Sequence, residues 1–335
     1  MNQEIRVIQC GLGPIGLRTT RELVGRRGLR IVAALDVDPA LAGRDLGELA
    51  GLDRTLGVPV RSDVDRVVGE IAADLAIVTT ASSLARAATH FQPFLARRLP
   101  VLTSCEEAAF PFETAPALAE TIDGWARASG VPVLATGINP GFLMDLLPIV
   151  LSAPCASVER VRVERIQDAA KRRLPFQKKV GAGLDPATFA AQVAAGELKH
   201  VGLTESMQMI AGAFGFDLER YEDRIEPVIA EGACASAEIR VEKGFVRGVR
   251  QTGRAWRSGE VEPVIEMHFL AAIGVPDARD RVLLEGQPRI DSLIQGGVPG
   301  DLGTAAILVN AIPSVLSARP GLQTMATVAP PHFWR

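Results

Sequence analysis

The chain has 335 residues, of which 47% are hydrophobic and 22% charged, enough apolar material for two buried cores and too much for a disordered chain. A formal net charge of −3 offers phosphate backbones no broad attraction, and no Lys/Arg cluster is interleaved with aromatic residues, so nucleic acid is excluded as an expected partner. The start, MNQEIRVIQCGLG, lacks a signal-peptide pattern, no apolar run is long enough to span a membrane, and Cys10, Cys105, Cys155 and Cys234 form no Cys-x-x-Cys pair. The expectation is a cytoplasmic protein with neither a metal site nor a disulfide framework.

Residues 5–9 read as a strand that runs into GLGPIG, after which Leu17, Thr20, Leu23 and Val24 share one helical face. That is the context a G-x-G-x-x-G motif needs. Gly11 permits the tight turn, Gly13 lets a pyrophosphate approach the backbone, and Gly16 lets helix and strand pack closely. Pro14 and Ile15 open the helix whose N-terminus would face the negative charge. A second strand, 30–35, ends at Asp36, positioned to accept hydrogen bonds from an adenosine ribose. Its carboxylate repels a 2′-phosphate, which favours NAD over NADP, although Arg44 is within reach of such a phosphate. Strands at 75–79, 100–103 and 131–135 alternate with helices near 84–96 and 115–129, which implies a doubly wound parallel sheet of the Rossmann kind.

On the ligand edge of that sheet, Thr79, Thr80 and Ala81 end one strand with small side chains that would let a cofactor lie close; an ordinary turn explains them equally. The next strand delivers Cys105, Glu106 and Glu107 to the same edge. A carboxylate beside Ala108, Ala109 and Phe110 is partly desolvated and suited to proton transfer. The alternatives for either acid are a helix-start residue favoured by the dipole and a solvated loop acid. Cys105 has nothing nearby to lower its pKa. After the last strand, TGINPGF offers Asn139 for the carboxamide of a nicotinamide, with Pro140 and Gly141 as hinge or plain turn. Phe142 and Met144 line either a pocket or a core.

After residue 141 the texture changes to longer strands at 158–166, 233–242, 245–257 and 261–273, with 281–284 a fifth, as in an open, mainly antiparallel sheet. A helix capped by Asp185, with Pro186 at its first position and Gly196 at its end, lies between the first two. The expected domains are 1–141, completed by a returning segment 303–335 with its apolar helix GTAAILVNAIPSVLSA, and an α+β domain at 142–302. Asp168 lies beyond the first strand of the second domain beside the cations 171–173; a solvated charged face and a partner for a second ammonium group are both open for it. His200, a candidate substrate-pocket residue with a structural hydrogen bond as its alternative, precedes a helix expected to be capped by Thr204. Phe176 and Met207, with Phe142 and Met144, suggest an apolar pocket able to accept simple alkyl amines.

GLGPIG, LDVDPALAGRDLGEL, SCEEAAFP, TGINPGFLMD, IQDAAKRRLPFQKKVGAG, KHVGLTES and NAIPSVLSARPGLQTM together resemble the NAD(P)-dependent amine dehydrogenases related to 2,4-diaminopentanoate dehydrogenase, within the dihydrodipicolinate-reductase-like group. The resemblance runs nearly end to end. It implies oxidative deamination of a primary amine to a carbonyl compound and ammonia, the reverse reductive amination, and a homodimer. It also implies that a glutamate of the S-C-E-E segment is the acid/base; by position Glu106 is preferred and Glu107 is its rival. The histidine-pair and D-A-P-S-G-T segments of a dihydrodipicolinate reductase are missing, which argues against that imine reductase; a non-catalytic NAD(P) sensor would have no use for the acid pair.

Overall fold

In a computed structural model, residues 4–198 and 201–335 are described, and the chain divides into two compact units, one comprising residues up to 142 with 299–335, the other 143–298. In the first unit the order is β1 (Ile5–Cys10), α1 (Pro14–Val24), β2 (Leu29–Leu35), α2 (Leu46–Leu49), β3 (Val60–Arg61), α3 (Val64–Glu70), β4 (Leu75–Val78), α4 (Leu84–Ala96), β5 (Val101–Thr103), α5 (Pro116–Ser129) and β6 (Pro132–Ala135). Local chemistry sets the boundaries. Pro14 lacks the N–H that a first-turn residue leaves unused, and Gly130 ends α5 at φ 72°. All four residues of β4, β5's three and β6's four are buried, as strands covered on both faces require.

The second unit contributes α6 (Leu146–Leu151), β7 (Ser157–Asp168), α7 (Leu174–Lys179), α8 (Pro186–Ala194), α9 (Leu203–Phe214), β8 (Leu218–Ile229), β9 (Cys234–Ala235), β10 (Arg240–Val241), β11 (Val246–Arg257), β12 (Ile265–Ala272), β13 (Arg279–Gln287) and β14 (Ile290–Gln295). The chain then returns to the first unit as α10 (Gly300–Asn310), α11 (Ile312–Leu316) and β15 (Gly321–Gln323). The first unit holds a seven-stranded parallel sheet, β15-β6-β5-β4-β1-β2-β3. The second holds a six-stranded sheet, β14-β13-β7-β12-β11-β8, antiparallel except for β12 against β7.

Several sequence expectations change in detail. Residues 218–229 form the long edge strand β8, hidden in the sequence because the charges of LERYEDRIEPVI fall on both alternating sets of positions and the strand is exposed along most of its length. The strand expected at 233–242 is instead two short arms, β9 and β10, that pair only with each other. The apolar helix near the C-terminus is split into α10 and α11, with Pro313 opening the second piece, and the segment ends in β15 against β6. Thr204 does not cap α9: Gly202, at φ 107°, is its N-cap and Thr204 lies inside the helix. Asp185 does cap α8, accepting from the N–H groups of Ala187 and Thr188. No helix among the described residues is long and apolar enough to cross a membrane.

A buried ion pair stands at the centre of the second sheet. Arg165 on β7 and Asp280 on β13 are 2.8 Å apart with side chains 2% and 4% exposed. Arg165 also donates to the Val298 carbonyl at 3.0 Å, and the Val298 N–H donates to Asp280 at 2.8 Å. Burial pushes the guanidinium's pKa down and the carboxyl's up; the mutual hydrogen bonds offset that desolvation.

Candidate active site

The glycine loop follows β1, and each of its glycines meets a different demand. Gly11 has φ +88° and a Cβ there would lie 2.7 Å from the Thr79 backbone; a Cβ on Gly16 would lie 1.9 Å from the Gly11 carbonyl oxygen. Neither position admits a side chain. A Cβ on Gly13 would meet nothing within 4 Å. That open space lies at the mouth of α1, where Leu17 is the first residue whose N–H returns to the Gly13 carbonyl, so that the N–H groups of Ile15 and Gly16 keep no intrahelical acceptor. Exposed Gly13 and Pro14 border it. These residues fit a dinucleotide's pyrophosphate: the backbone donors and the helix dipole converge on a space no side chain fills.

Asp36 leaves β2 beside the loop. One carboxylate oxygen accepts from the Leu12 N–H at 2.6 Å and the other from the Asp38 N–H at 2.9 Å. Each oxygen retains a lone pair for ribose hydroxyls. Cys10, next to it, is pushed up to about 12 by burial and by the Asp36 charge, and is an inert packing residue. Thr79, at the exit of β4, turns back: its hydroxyl donates to the Gly11 carbonyl at 2.8 Å. Thr80 Oγ1 lies 2.7 Å from His90 Nδ1 on α4, and burial with the Arg86 charge holds His90 below the ordinary histidine range. Ala81 is half-buried in the same turn.

At the exit of β5 the two glutamates occupy a 3₁₀ turn, Glu106–Ala108, and they are used differently. The Glu107 carboxylate accepts from the Leu84 N–H at 2.8 Å. It thereby caps α4, whose own N-cap residue, Ser83, makes no side-chain cap bond. The Glu107 backbone N–H donates to the Ser82 carbonyl at 3.2 Å, so this residue staples the turn to the β4 exit. Glu106 is half-buried, and among the described residues no hydrogen bond or ion pair engages its carboxylate. Cys105 is 1% exposed, donates its thiol to Ser82 at 3.1 Å, and is pushed up to about 12, chiefly by burial and with both glutamates adding to the rise. It anchors the turn and is no nucleophile.

The segment after β6 doubles back on itself. Asn139 is 8% exposed and its peptide to Pro140 is cis. The Ile138 N–H donates to Thr304 on α10 at 3.3 Å. Gly141, at φ +119°, passes so close to Gly137 that a Cβ would be 2.4 Å from its nitrogen. Phe142 is half-buried.

In the second unit the sequence candidates are largely engaged in structure. Met144 and Met207 are fully buried, and Met207 packs under β11 at Gly253. Asp168 accepts from the N–H groups of Ala170 and Gly274 at 3.0 and 3.1 Å. Phe176 lies under the Arg172 guanidinium at 4.0 Å and against that unit's core. His200 falls outside the described residues. No group of three or more His, Cys, Asp or Glu side chains among the described residues is arranged to hold a metal ion.

Sequence reasoning missed Gln9, His90, Asp145 and the Arg165–Asp280 pair. Gln9 carried a signal, an amide in a strand otherwise apolar enough for the middle of a parallel sheet. Asp145 carried one too, as a carboxylate within FLMDLL; it is fully buried and accepts from Ser206 on α9 at 2.8 Å.

The model of the 2,4-diaminopentanoate dehydrogenase C-terminal domain matches residues 142–335. A 2,4-diaminopentanoate dehydrogenase of Acetoanaerobium sticklandii is 32% identical over 344 residues, covering 98% of this chain and 95% of the relative. An amine dehydrogenase of Streptomyces virginiae is 25% identical over 356 residues, covering 95% and 94%. Among solved structures, an amine dehydrogenase from Mycobacterium smegmatis superposes with a TM-score of 0.87 at 24% identity, over 99% of this chain and 98% of that one, which bears on the fold.

Proposed function

This chain belongs to the 2,4-diaminopentanoate dehydrogenase family, and from that premise we propose that it oxidises a small primary amine to a ketone or aldehyde and ammonia with NAD(P), and aminates the carbonyl compound in reverse. The observation that carries the assignment of roles is the contrast within the acid pair. Glu107 is committed to the N-terminus of α4, whereas Glu106, one residue earlier on the ligand edge of the sheet, has a carboxylate with no partner among the described residues. A proton-transfer group must be able to change its charge without unmaking the fold, and only Glu106 meets that condition.

A bound NAD(P) would supply the acceptor for the hydride of the amine-bearing carbon. Glu106 takes the proton from the substrate ammonium, which frees the nitrogen lone pair that hydride loss requires. Its negative charge then steadies the cationic iminium, and it relays protons as water adds and ammonia leaves. In the reverse direction it deprotonates ammonium for attack on the carbonyl carbon. Asp36 supports a preference for NAD, because both of its oxygens are held by backbone N–H groups where a 2′-phosphate would meet its charge. We infer a cytoplasmic homodimer; exposed Tyr221, Ile229 and Leu293 of the second unit support a second copy as partner, which sedimentation equilibrium tests.

The test of the reaction is a panel of primary amines with NAD and with NADP, followed by reduced-cofactor absorbance, and of ketones with ammonium in the other direction. Amine-dependent cofactor reduction is expected, with NAD preferred. Reduction of a preformed cyclic imine with no response to any amine or to ammonium would overturn the proposal.

A further inference from the structure

The geometry points to Gln9 as a positioning residue for the dinucleotide: it sets the plane of the Gly11–Leu12 peptide and, through that peptide, the carboxylate of Asp36. Gln9 is the penultimate residue of β1, fully buried, between Ala34 on β2 and Ile77 on β4. Its Nε2 donates to the Gly11 carbonyl oxygen at 3.2 Å and to Thr79 Oγ1 at 3.0 Å, and the Thr79 hydroxyl in turn donates to the same Gly11 oxygen at 2.8 Å. Two hydrogens of one amide and one of a hydroxyl account for all three contacts. The amide orientation follows from chemistry, since the Gly11 oxygen can only accept and a flipped amide would present it with another oxygen.

A trans peptide is planar, with its C=O and N–H pointing in opposite directions. Drawing the Gly11 oxygen back toward Gln9 and Thr79 therefore turns the Leu12 N–H outward, where it meets Asp36 Oδ2 at 2.6 Å. One peptide unit is thus held at its oxygen by β1 and the β4 exit and at its nitrogen by the β2 exit. Gly11 needs such restraint: it lies at φ +88° and glycine alone imposes no single conformation.

Packing does not account for the residue. Gln9 Oε1 is buried with no hydrogen-bond partner among the described residues, a penalty that an apolar side chain at this position would avoid. The amide is explained by what Nε2 holds.

This inference rests on the dinucleotide half of the proposed function and is independent of the amine chemistry. Its test is equilibrium titration of the full-length protein with NAD and NADP by calorimetry, beside thermal melts without cofactor. Gln9→Met keeps the length and removes both donors. Its melting temperature should stay close to wild type, because loss of the two bonds is offset by removal of the unpartnered Oε1. Its NAD dissociation constant should rise by roughly fivefold to tenfold, its NAD-over-NADP preference should narrow, and KM for NAD should rise by more than kcat falls.

Thr79→Val removes the other donor to the same oxygen and should weaken NAD binding in the same direction. Thr79→Ser should restore it. The Gln9→Met, Thr79→Val pair should cost less than the product of the two singles, since both act through one peptide. Unchanged NAD affinity and unchanged discrimination in a folded Gln9→Met protein would overturn the inference. Should Gln9→Met not fold, equal weakening by Thr79→Val and Thr79→Ser would overturn it, and failure of the wild type to bind either dinucleotide would remove the dinucleotide reading with it.

Discussion

Replacing Glu106 and Glu107 one at a time should separate chemistry from architecture. The Glu106 carboxylate engages no hydrogen-bond or ion-pair partner among the described residues, so Glu106→Gln should leave stability within about 0.5 kcal/mol of wild type, as for a substitution away from special features. Its effect belongs to the rate: loss of a positioned acid/base lowers kcat/KM by ~10²-fold or more, about 2.7 kcal/mol of barrier. Glu107 reverses the pattern. Its carboxylate caps the 13-residue helix α4 through Leu84. Glu107→Gln keeps an oxygen for that N–H but loses the charge facing the helix dipole, at about 0.3–1 kcal/mol. Glu107→Ala loses the acceptor as well, at about 0.5–2 kcal/mol, or roughly 2–4 °C of melting temperature per kcal/mol. Differential scanning calorimetry and initial rates of amine oxidation across pH measure both quantities on the same samples. A Glu106→Gln enzyme with wild-type rates, or a Glu107→Gln enzyme that loses ~10²-fold in rate at unchanged stability, would refute the division of roles.

Gly13→Ala adds a methyl group to open space and should melt like wild type while binding NAD at least about tenfold more weakly by calorimetry; Gly16→Ala, whose Cβ would sit 1.9 Å from the Gly11 oxygen, should lose stability by about 1–3 kcal/mol or more in urea denaturation. Asp280→Asn leaves the buried Arg165 guanidinium without its counter-charge and should cost about 3–5 kcal/mol by the same measurement. His90 is held below the ordinary histidine pKa of about 6.5 by burial and by Arg86, so its neutral form is the one the fold prefers. Its contribution to stability is complete above that ordinary value and is lost as pH falls through it toward the lower folded value. Urea midpoints from pH 8 to pH 5 should fall more steeply for wild type than for His90→Gln.

Local stereochemistry made much of this protein legible in its sequence. A strand, three glycines at fixed spacing and a helix opened by proline can hardly be read another way, because the tight turn and the close approaches are satisfied within a dozen residues. Alternating apolar runs and helical faces likewise disclose a parallel sheet, and a parallel sheet discloses that Asp36, Thr79, Glu106 and Glu107 leave their strands on one edge. The strand β8 escaped because an edge strand has one unpaired side and, here, exposed faces, so no burial stamps a period of two on LERYEDRIEPVI. The parallel pairing of β12 with β7 escaped because strand direction leaves no mark on composition. Which glutamate is free was undecidable for a related reason: the N–H that engages Glu107 belongs to Leu84, 23 residues earlier. The Gln9 contacts to Thr79 span 70 residues. Adjacent acids are equivalent along the chain, and only contacts brought together by the fold give Glu107 a structural bond that Glu106 lacks among the described residues.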